Sequence, residues 1–593
     1  MDILGVSCFY HDSAAVLLRD GDIVAASMEE RLTRKKHDSG FPAQAIDFCL
    51  ERGGIQGPDL DYVVFYEKPM VKVGRILMTA LGTFPQSWDF WREAVTAYVS
   101  EKFWIKSLLQ RHLGVRPDQI LFCDHHMSHA ASAFFASPFD EAAVLTIDGV
   151  GEWTTTTMGH ATANWNGASE NKIDLFWEQR FPHSIGLLYS AFTAFLGFRV
   201  NNGEYKVMGM SPYGEPNYVD QVKKLITINR DGSFELDMDY FSYHHSATHS
   251  FNGRFTSLFG EPRVHSDDFF TAKSDPSRAG ETEALRRNQY YADVARSIQD
   301  VTEEAMLVMA NALYERTQSK RLVMAGGVAL NSVANFKVLR ETPFEEVYIQ
   351  PAAGDDGGAL GAALWAYHVV LGQPRKLVMT HAYYGQDFSD DEIRAFLDAN
   401  QIPYEHFADD DALIDRVVDE IIDQKVVGLF QGRYEWGPRA LGNRSILADP
   451  RRAAMKDIVN TKIKFREPFR PFAPVVLTDR AAEFFDFPGI ETNLPARFML
   501  MVSPIHQDKL DVAQATTHEG GTGRLQTIDR ETNPRYYELV RRFGEATGVP
   551  ILLNTSFNLR GEPIVSTPAN AWWTFSNSGI DYLMIGSFLV RKP

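Results

Sequence analysis

His125 and His129 lie four residues apart in Asp124-His125-His126-Met127-Ser128-His129-Ala130-Ala131. On a helix that spacing puts both imidazoles on one face, where they can share a metal ion. No Glu stands in the position that an HExxH metalloprotease uses. Two carboxylates in glycine-rich turns extend the donor set: Asp148 in Ile147-Asp148-Gly149-Val150-Gly151, and Asp355 in Ala353-Gly354-Asp355-Asp356-Gly357-Gly358. Glycine beside an acid lets backbone and ligand approach closely. Two His with two Asp suit Fe(II), Mn(II) or Zn(II), and spacing alone does not choose among them. Capping or core histidines are the ordinary alternative for an isolated pair of this kind.

A second chemistry is written in cations. The chain has 593 residues, with 59 Lys and Arg against 77 Asp and Glu, a net charge of −18. An anionic substrate must therefore be met by local clusters of Arg and Lys. Two exist. Gly432–Ser445 places Arg433, Arg439 and Arg444 in a turn-rich, non-periodic stretch, and Lys462–Phe472 interleaves Lys462, Lys464, Arg466 and Arg470 with aromatics and prolines. Proline stiffens such loops, so the cations are positioned for bidentate anion recognition, phosphate first. Structural ion pairing is the alternative. Asn554-Thr555-Ser556-Phe557-Asn558 adds short polar side chains at a strand exit, where α/β sheets bind ligands. Small-residue loops at His11-Asp12-Ser13-Ala14, Asp148–Gly151 and Gly326-Gly327-Val328-Ala329-Leu330-Asn331 can cradle phosphates through backbone N–H groups. There is no Walker sequence and no GxSxG elbow, so a metal, or a carboxylate or His acting on a bound alcohol, is the better-supported chemistry.

The elements that must position these groups follow from periodicity. Ile3–Ser7, Ala14–Leu18 and Ile23–Ala26 read as strands, the last two as a hairpin around Asp20-Gly21. Ala142–Gly149 followed by Thr154–Met158 repeats the pattern about 140 residues on, which suggests a duplicated α/β unit. Apolar residues from Leu285 to Ala312 step helically, the strand Arg321–Ala325 follows, and a small-residue helix runs from Gly358 to Tyr367. Tyr240–Gly280 reads as an insertion or long loop. A composition shift at Leu371–Arg375 marks a domain boundary. Beyond it, helices Asp390–Asn400, Ala412–Gln424 and Pro534–Thr547 alternate with strands Val426–Gln431, Pro474–Leu477 and Ile551–Asn554. The acidic balance argues against nucleic-acid and membrane-surface binding. Three cysteines without a CxxC pair, and the lack of a basic, apolar leader or an apolar run of the ~18 residues a membrane span needs, point to the cytoplasm.

Taken in order, Phe9–Ala15, Asp124–Ala131, Asn202–Gly209, Gly326–Asn331, Gly354–Gly358, Gly437–Gly442, Arg466–Pro474 and Asn554–Asn558 resemble the NodU/CmcH-type O-carbamoyltransferases over essentially the whole chain. The resemblance implies an α/β protein: an actin-like, Kae1-like duplicated ribonuclease H-like domain (1–370), then a YrdC-like domain (371–593). The second would condense carbamoyl phosphate with ATP, accompanied by Mg2+, to carbamoyl-adenylate and pyrophosphate. The first would use Fe(II) or another divalent metal to pass the carbamoyl group to a hydroxylated small molecule, as in antibiotic, nodulation-factor or toxin biosynthesis. The metal would sit on His125, His129, Asp148 and Asp355. Carbamoyl phosphate and the adenylate would meet Arg439, Lys464, Arg470, Arg524, Asn554 and Ser556. Gly326, Gly327, Asn331 and Lys206 would serve the nucleotide, and His11 and Asp12 lie where the acceptor should approach. Catalytic roles thus fall to His11, Asp12, His129, Arg439 and Lys464, and a homodimer is the candidate assembly. The alternatives are a threonylcarbamoyl-type tRNA-modifying enzyme, which the acidic charge disfavours, and a non-catalytic actin- or Hsp70-like nucleotide-binding protein.

Overall fold

The computed structural model describes residues 1–88, 91–92, 104–167 and 170–592. Its contacts divide the chain into two units, Met1–Glu29 with His37–Met379, and Glu30–Lys36 with Thr380–Pro593.

In the first unit one five-stranded sheet runs in the order Asp22–Met28, Ala14–Arg19, Asp2–Ser7, Tyr62–Phe65, Ile120–Phe122. Its first three strands are an antiparallel meander and its last three are parallel. The turn between Ala14–Arg19 and Asp22–Met28 holds Asp20 at φ +50° and Gly21 at φ +86°, the double left-handed geometry that lets a two-residue turn match strand twist. The second sheet repeats the order as Lys172–Arg180, Thr154–Thr162, Glu141–Ile147, Arg321–Ala325, Glu346–Tyr348, again antiparallel and then parallel. Two copies of one strand order are the duplicated ribonuclease H-like arrangement of actin-like proteins.

Two helices that leave the ends of the parallel strands place three of the four donor candidates. Helix His125–Phe134 follows the last strand of the first sheet, and helix Asp355–Trp365 follows the last strand of the second. The two helices pack closely because Gly361 lies against Ser128: a Cβ there would overlap the Ser128 carbonyl oxygen and stand 2.7 Å from its carbon. Asp355 opens its helix instead of lying in a turn. An acid in the first helical turn is favoured by the dipole, and Gly354 precedes it as N-cap. Likewise Gly327–Leu330 coils into one 3₁₀ turn.

The long helix Thr282–Thr317 spans 36 residues and buries Tyr291, Val294, Ile298, Val301, Ala305 and Ala312. The stretch expected to be a loop, Tyr240–Gly280, also carries the helix Gly253–Phe259. Phe251, Phe255 and Phe259, spaced by four, pack on one another and on Phe195.

The second unit is built on an eight-stranded mixed sheet, ordered Glu405–His406, Phe588–Arg591, Tyr582–Ile585, Val427–Phe430, Arg444–Ala448, Ile551–Ser556, Ala473–Leu477, Gln526–Ile528. Both faces are covered. Ile446, Leu553 and Phe430 join one apolar cluster with helices Asp390–Ala399 and Pro568–Ser576, while Leu447, Leu552 and Leu429 join another with Asp410–Ile422 and Pro534–Thr547. Successive residues entering opposite cores is the period of two expected of strands buried on both faces. No helix among the described residues is long and apolar enough to cross a membrane.

Candidate functional site

The four metal-donor candidates converge, and all are buried. His125 Nε2 stands 3.1 Å from His129 Nε2, 3.2 Å from Asp148 Oδ2 and 3.7 Å from Asp355 Oδ1, and His129 Nε2 is 3.4 Å from Asp355 Oδ1. Neither oxygen of Asp355, nor Nδ1 of either histidine, meets a hydrogen-bond partner among the described residues. Burial opposes a charged His125, yet the Asp355 and Asp148 carboxylates raise its pKa to about 9. Burial likewise opposes ionisation of Asp148 and Asp355, but the imidazoles hold both below the usual carboxylate range. Metal ligation needs both imidazoles neutral; the two carboxylates would then carry two negative charges in a dry site, which a divalent cation would balance. Donor types, convergence and the orphaned Asp355 oxygens fit one divalent ion.

Local structure explains the convergence. Asp148 ends strand Glu141–Ile147, and its Oδ1 accepts the Gly327 N–H at 2.9 Å. Gly326, at φ +96°, lies where any Cβ would overlap the Ile147 carbonyl. The predicted nucleotide loop is thus held to the His/Asp donor cluster, with the Gly327 N–H donated to Asp148. Asn331 caps helix Ser332–Glu341 by accepting from Ala334 N–H and also pairs with Gln299. Lys206 lies on helix Glu204–Met210, its ammonium 5.3 Å from the Phe198 ring. His126, between the two donors, is a core residue: Nε2–H donates to Thr154 O at 2.9 Å and Nδ1 accepts from Thr146 Oγ1 at 2.6 Å. Burial first, then the neighbouring histidines, keeps it neutral.

His11 Nδ1 is 2.9 Å from Asp12 Oδ2. Burial opposes its protonation, but the bond to Asp12 and the charges of Asp355 and Asp148 raise its pKa to about 10. His11 therefore feels the donor cluster directly. A divalent cation among those carboxylates would cancel the field that raises it.

In the second unit the predicted anion residues are partly assembled. Lys464 Nζ is buried among Ser556 O (2.6 Å), Ser556 Oγ (3.2 Å), Asn558 O (3.0 Å) and Asn558 Oδ1 (2.6 Å). Burial pulls its pKa well down, helped by the charges of Arg466, Arg470 and Lys36. Arg470 stands 3.6 Å from Glu467. Asn554 donates to Ala440 O at 3.1 Å and Gln526 Oε1 at 2.7 Å, tying the Arg439 loop to the strand that follows Arg524. Its own Oδ1 is buried and meets no partner among the described residues.

The arginine-rich stretch Gly432–Ser445 serves structure more than expected. Arg444 lies in a strand, fully buried, donating to the carbonyls of Gln431 (2.5 Å) and Gly432 (3.1 Å) with its guanidinium 3.7 Å from the Phe430 ring centre. Burial lowers its pKa to about 10. Arg433 donates to the carbonyls of Gly385 and Tyr384. Backbone carbonyls accept from both of these guanidinium groups, and the half-buried Arg439 precedes Ala440, whose carbonyl accepts from Asn554.

Two sets of residues were missed in the sequence. Glu152 accepts the N–H of His125, seating the first turn of the donor helix; nothing in its local sequence announces this. Arg31, Arg34 and Lys36 belong to the second unit. Arg31 donates to Gly437 O at 2.7 Å, and Arg34 to Ile564 O and Pro563 O. Their signal was available: Arg31-Leu32-Thr33-Arg34-Lys35-Lys36 is a basic run in an acidic chain.

The buried His/Asp donor set and the lysine at the strand exit are the two concentrations of chemistry in the chain. Residues 2–364 match the family model described as carbamoyltransferase N-terminus, and residues 418–592 match carbamoyltransferase C-terminus. The chain belongs to the carbamoyltransferase family and is an enzyme of carbamoyl transfer. It is 45% identical, over 100% of its length and 96% of the relative's, to an uncharacterized protein of Synechocystis sp.. Identity is 37% over 98% of this chain and 79% of the nodulation protein NolNO of Sinorhizobium fredii. It is 30% over 46% of this chain and 49% of the 3'-hydroxymethylcephem-O-carbamoyltransferase of Amycolatopsis lactamdurans.

Proposed function

We propose that the chain is an ATP-dependent O-carbamoyltransferase that works in two steps at two sites. The observation that carries this reading is the buried His125, His129, Asp148 and Asp355 set, in which neither Asp355 oxygen meets a hydrogen-bond partner among the described residues. One relative is named as the O-carbamoyltransferase of a hydroxymethyl cephem compound, which supports an alcohol as acceptor.

The first step is assigned to the second unit. Arg439, Lys464, Arg470 and Arg524 would hold the phosphates of carbamoyl phosphate and Mg2+-bound ATP against the negative field of the chain. Asn554 has both amide hydrogens committed, so its free Oδ1 suits the N–H of a carbamoyl group. Mass balance then requires two leaving groups. Water cleaves carbamoyl phosphate to carbamate and phosphate, and a carbamate oxygen then attacks the α-phosphorus of ATP, displacing pyrophosphate and leaving carbamoyl-adenylate.

The second step is assigned to the first unit. His125, His129, Asp148 and Asp355 would hold Fe(II) or another divalent ion, which when bound supplies a Lewis acid for the carbamoyl oxygen or the phosphate beside it. His11, with Nδ1–H donated to Asp12, presents Nε2 as the base that takes the proton of the attacking hydroxyl. The new C–O bond forms as the bond from the carbamoyl carbon to the AMP oxygen breaks, and AMP leaves.

Purified protein should release pyrophosphate from ATP only when carbamoyl phosphate is present. Chelation of divalent metal, followed by Mg2+ readdition, should spare this release and stop transfer to any of a panel of hydroxylated acceptors. Absence of carbamoyl phosphate-dependent pyrophosphate release would sink the reading.

A further inference from the structure

Asp12 is held by two histidines. His11 Nδ1 lies 2.9 Å from its Oδ2, and His37 Nδ1 lies 2.7 Å from its Oδ1. An ionised carboxylate only accepts, so both Nδ1 atoms carry the proton and each oxygen is engaged by a different ring. The two segments are also joined by backbone: Phe9 N–H donates to Ser39 O, Ser13 N–H to Asp38 O, and Ser13 Oγ to Gly40 O. Phe9, Asp12 and His37 all adopt left-handed backbone, at φ +72°, +54° and +55°. Such conformations cost energy away from glycine and persist where the surroundings over-determine them, as at functional sites.

The two rings are not equivalent. The Asp355 and Asp148 charges act on His11, so His11 lies within the field of the His/Asp donor cluster. His37 engages Asp12 on the oxygen opposite the one that His11 holds. A carboxylate has a soft terminal torsion, and one hydrogen bond would leave it free to tilt. A second bond on the opposite oxygen stops the tilt and fixes the plane in which His11 is presented.

We propose that His37 is a positioning residue for carbamoyl transfer: by occupying Asp12 Oδ1 it locks the carboxylate that orients His11 toward the acceptor hydroxyl. The proposal rests on the reading of His11 as the acceptor's base.

His37→Asn and His37→Gly separate the bond from the backbone. Both residues tolerate left-handed φ, but only Asn keeps an N–H donor near the Nδ1 position. In full-length protein with 15N-labelled histidine, the hydrogen-bonded Nδ1–H signals are assigned with His11→Asn and His37→Asn. His37→Gly should shift or broaden the His11 Nδ1–H signal, and His37→Asn should restore it. An unmoved His11 signal in His37→Gly overturns the proposal, with or without an active acceptor. In kinetics, with the hydroxymethyl cephem compound as probe alcohol, His37→Gly should lower kcat of transfer about 10–100-fold, the size seen when an outer partner of a site residue is lost. Pyrophosphate release should stay within about twofold, and His37→Asn should recover transfer to within about threefold. Equal loss of both steps, or a Gly variant that transfers like wild type, also overturns it. Wild-type protein lacking pyrophosphate release would instead count against the two-step function, while the NMR signal still decides the clamp.

Discussion

Gly361→Ala should disable carbamoyl transfer without touching any donor atom. The added Cβ would overlap Ser128 O and stand 2.7 Å from the Ser128 carbonyl carbon and 2.9 Å from Ser132 Cβ. Carbon pairs settle at about 3.5–4.0 Å, so helices His125–Phe134 and Asp355–Trp365 must separate by about 1 Å. Both contacts are backbone or short side chain, and neither can swing away. Overpacking of this kind costs about 1–3 kcal/mol, a few degrees of Tm, partly offset by the better helix propensity of alanine. Asp355 opens the displaced helix, so its 3.4 Å approach to His129 widens in step. Metal ligands tolerate only about 0.2 Å, and a misplacement near 1 Å costs on the order of 100-fold in rate. Metal content by elemental analysis, Tm by differential scanning, and the two partial reactions should be measured together. Gly74→Ala is the control: it sits in helix Pro69–Gly82 with nothing within 4 Å of its Cβ, so it should be neutral or slightly stabilising. If Gly361→Ala kept wild-type metal content, Tm and transfer, the close approach would not be what assembles the cluster.

Other outcomes follow from the same geometry. Arg470→Ala should abolish adenylate formation, whereas His129→Ala should spare it and stop transfer; equal loss of both in each variant would contradict two separate sites. Glu435→Ala removes the carboxylate oxygen that accepts from the N–H groups of Leu441, Asn443 and Arg444. At about 1.5–3 kcal/mol for a hydrogen bond to a charged group, urea unfolding should show a loss of several kcal/mol, and a change under 1 kcal/mol would remove this anchor from the Arg439 loop. Burial, aided by the charges of Arg524 and Lys456, lowers the pKa of His518 to about 3 against the pull of the Phe472 carbonyl. The unfolded imidazole titrates near 6.5, so the unfolded chain takes the proton first. Stability should be full above pH 6.5 and fall below it, by about 2 kcal/mol at pH 5. His518→Gln should flatten that decline in urea titrations at pH 7 and pH 5; an unchanged decline assigns it elsewhere.

The convergence of the four His/Asp donors was legible because it is written in residue type and spacing. The HxxxH pair states its own geometry once it is helical, and glycines flanking Asp148 and Asp355 announce close approach. The duplicated fold was legible through Asp20-Gly21 and the repeated apolar runs. What failed was any inference that needed the third dimension. Arg433, Arg439 and Arg444 are indistinguishable by type, yet two of them go to carbonyls of the backbone beside them. Asp355 reads as part of a glycine turn until the helix behind it supplies a dipole. His37 carries no local mark at all, because its role arises from a register between two loops that sequence does not display. The aromatic helix Gly253–Phe259 was hidden by the polar residues around it, although its spacing of four was present.

Seven residues, Glu30–Lys36, belong with a unit whose other residues begin only at Thr380. The two units therefore cannot be parted by cutting one peptide bond. A fragment beginning at Thr380 would leave Gly437 O and Ser566 Oγ without Arg31, and Pro563 O and Ile564 O without Arg34. A gene split at the apparent boundary would separate those side chains from the unit they complete. Exchange of the C-terminal half would have to carry that segment along or replace its contacts.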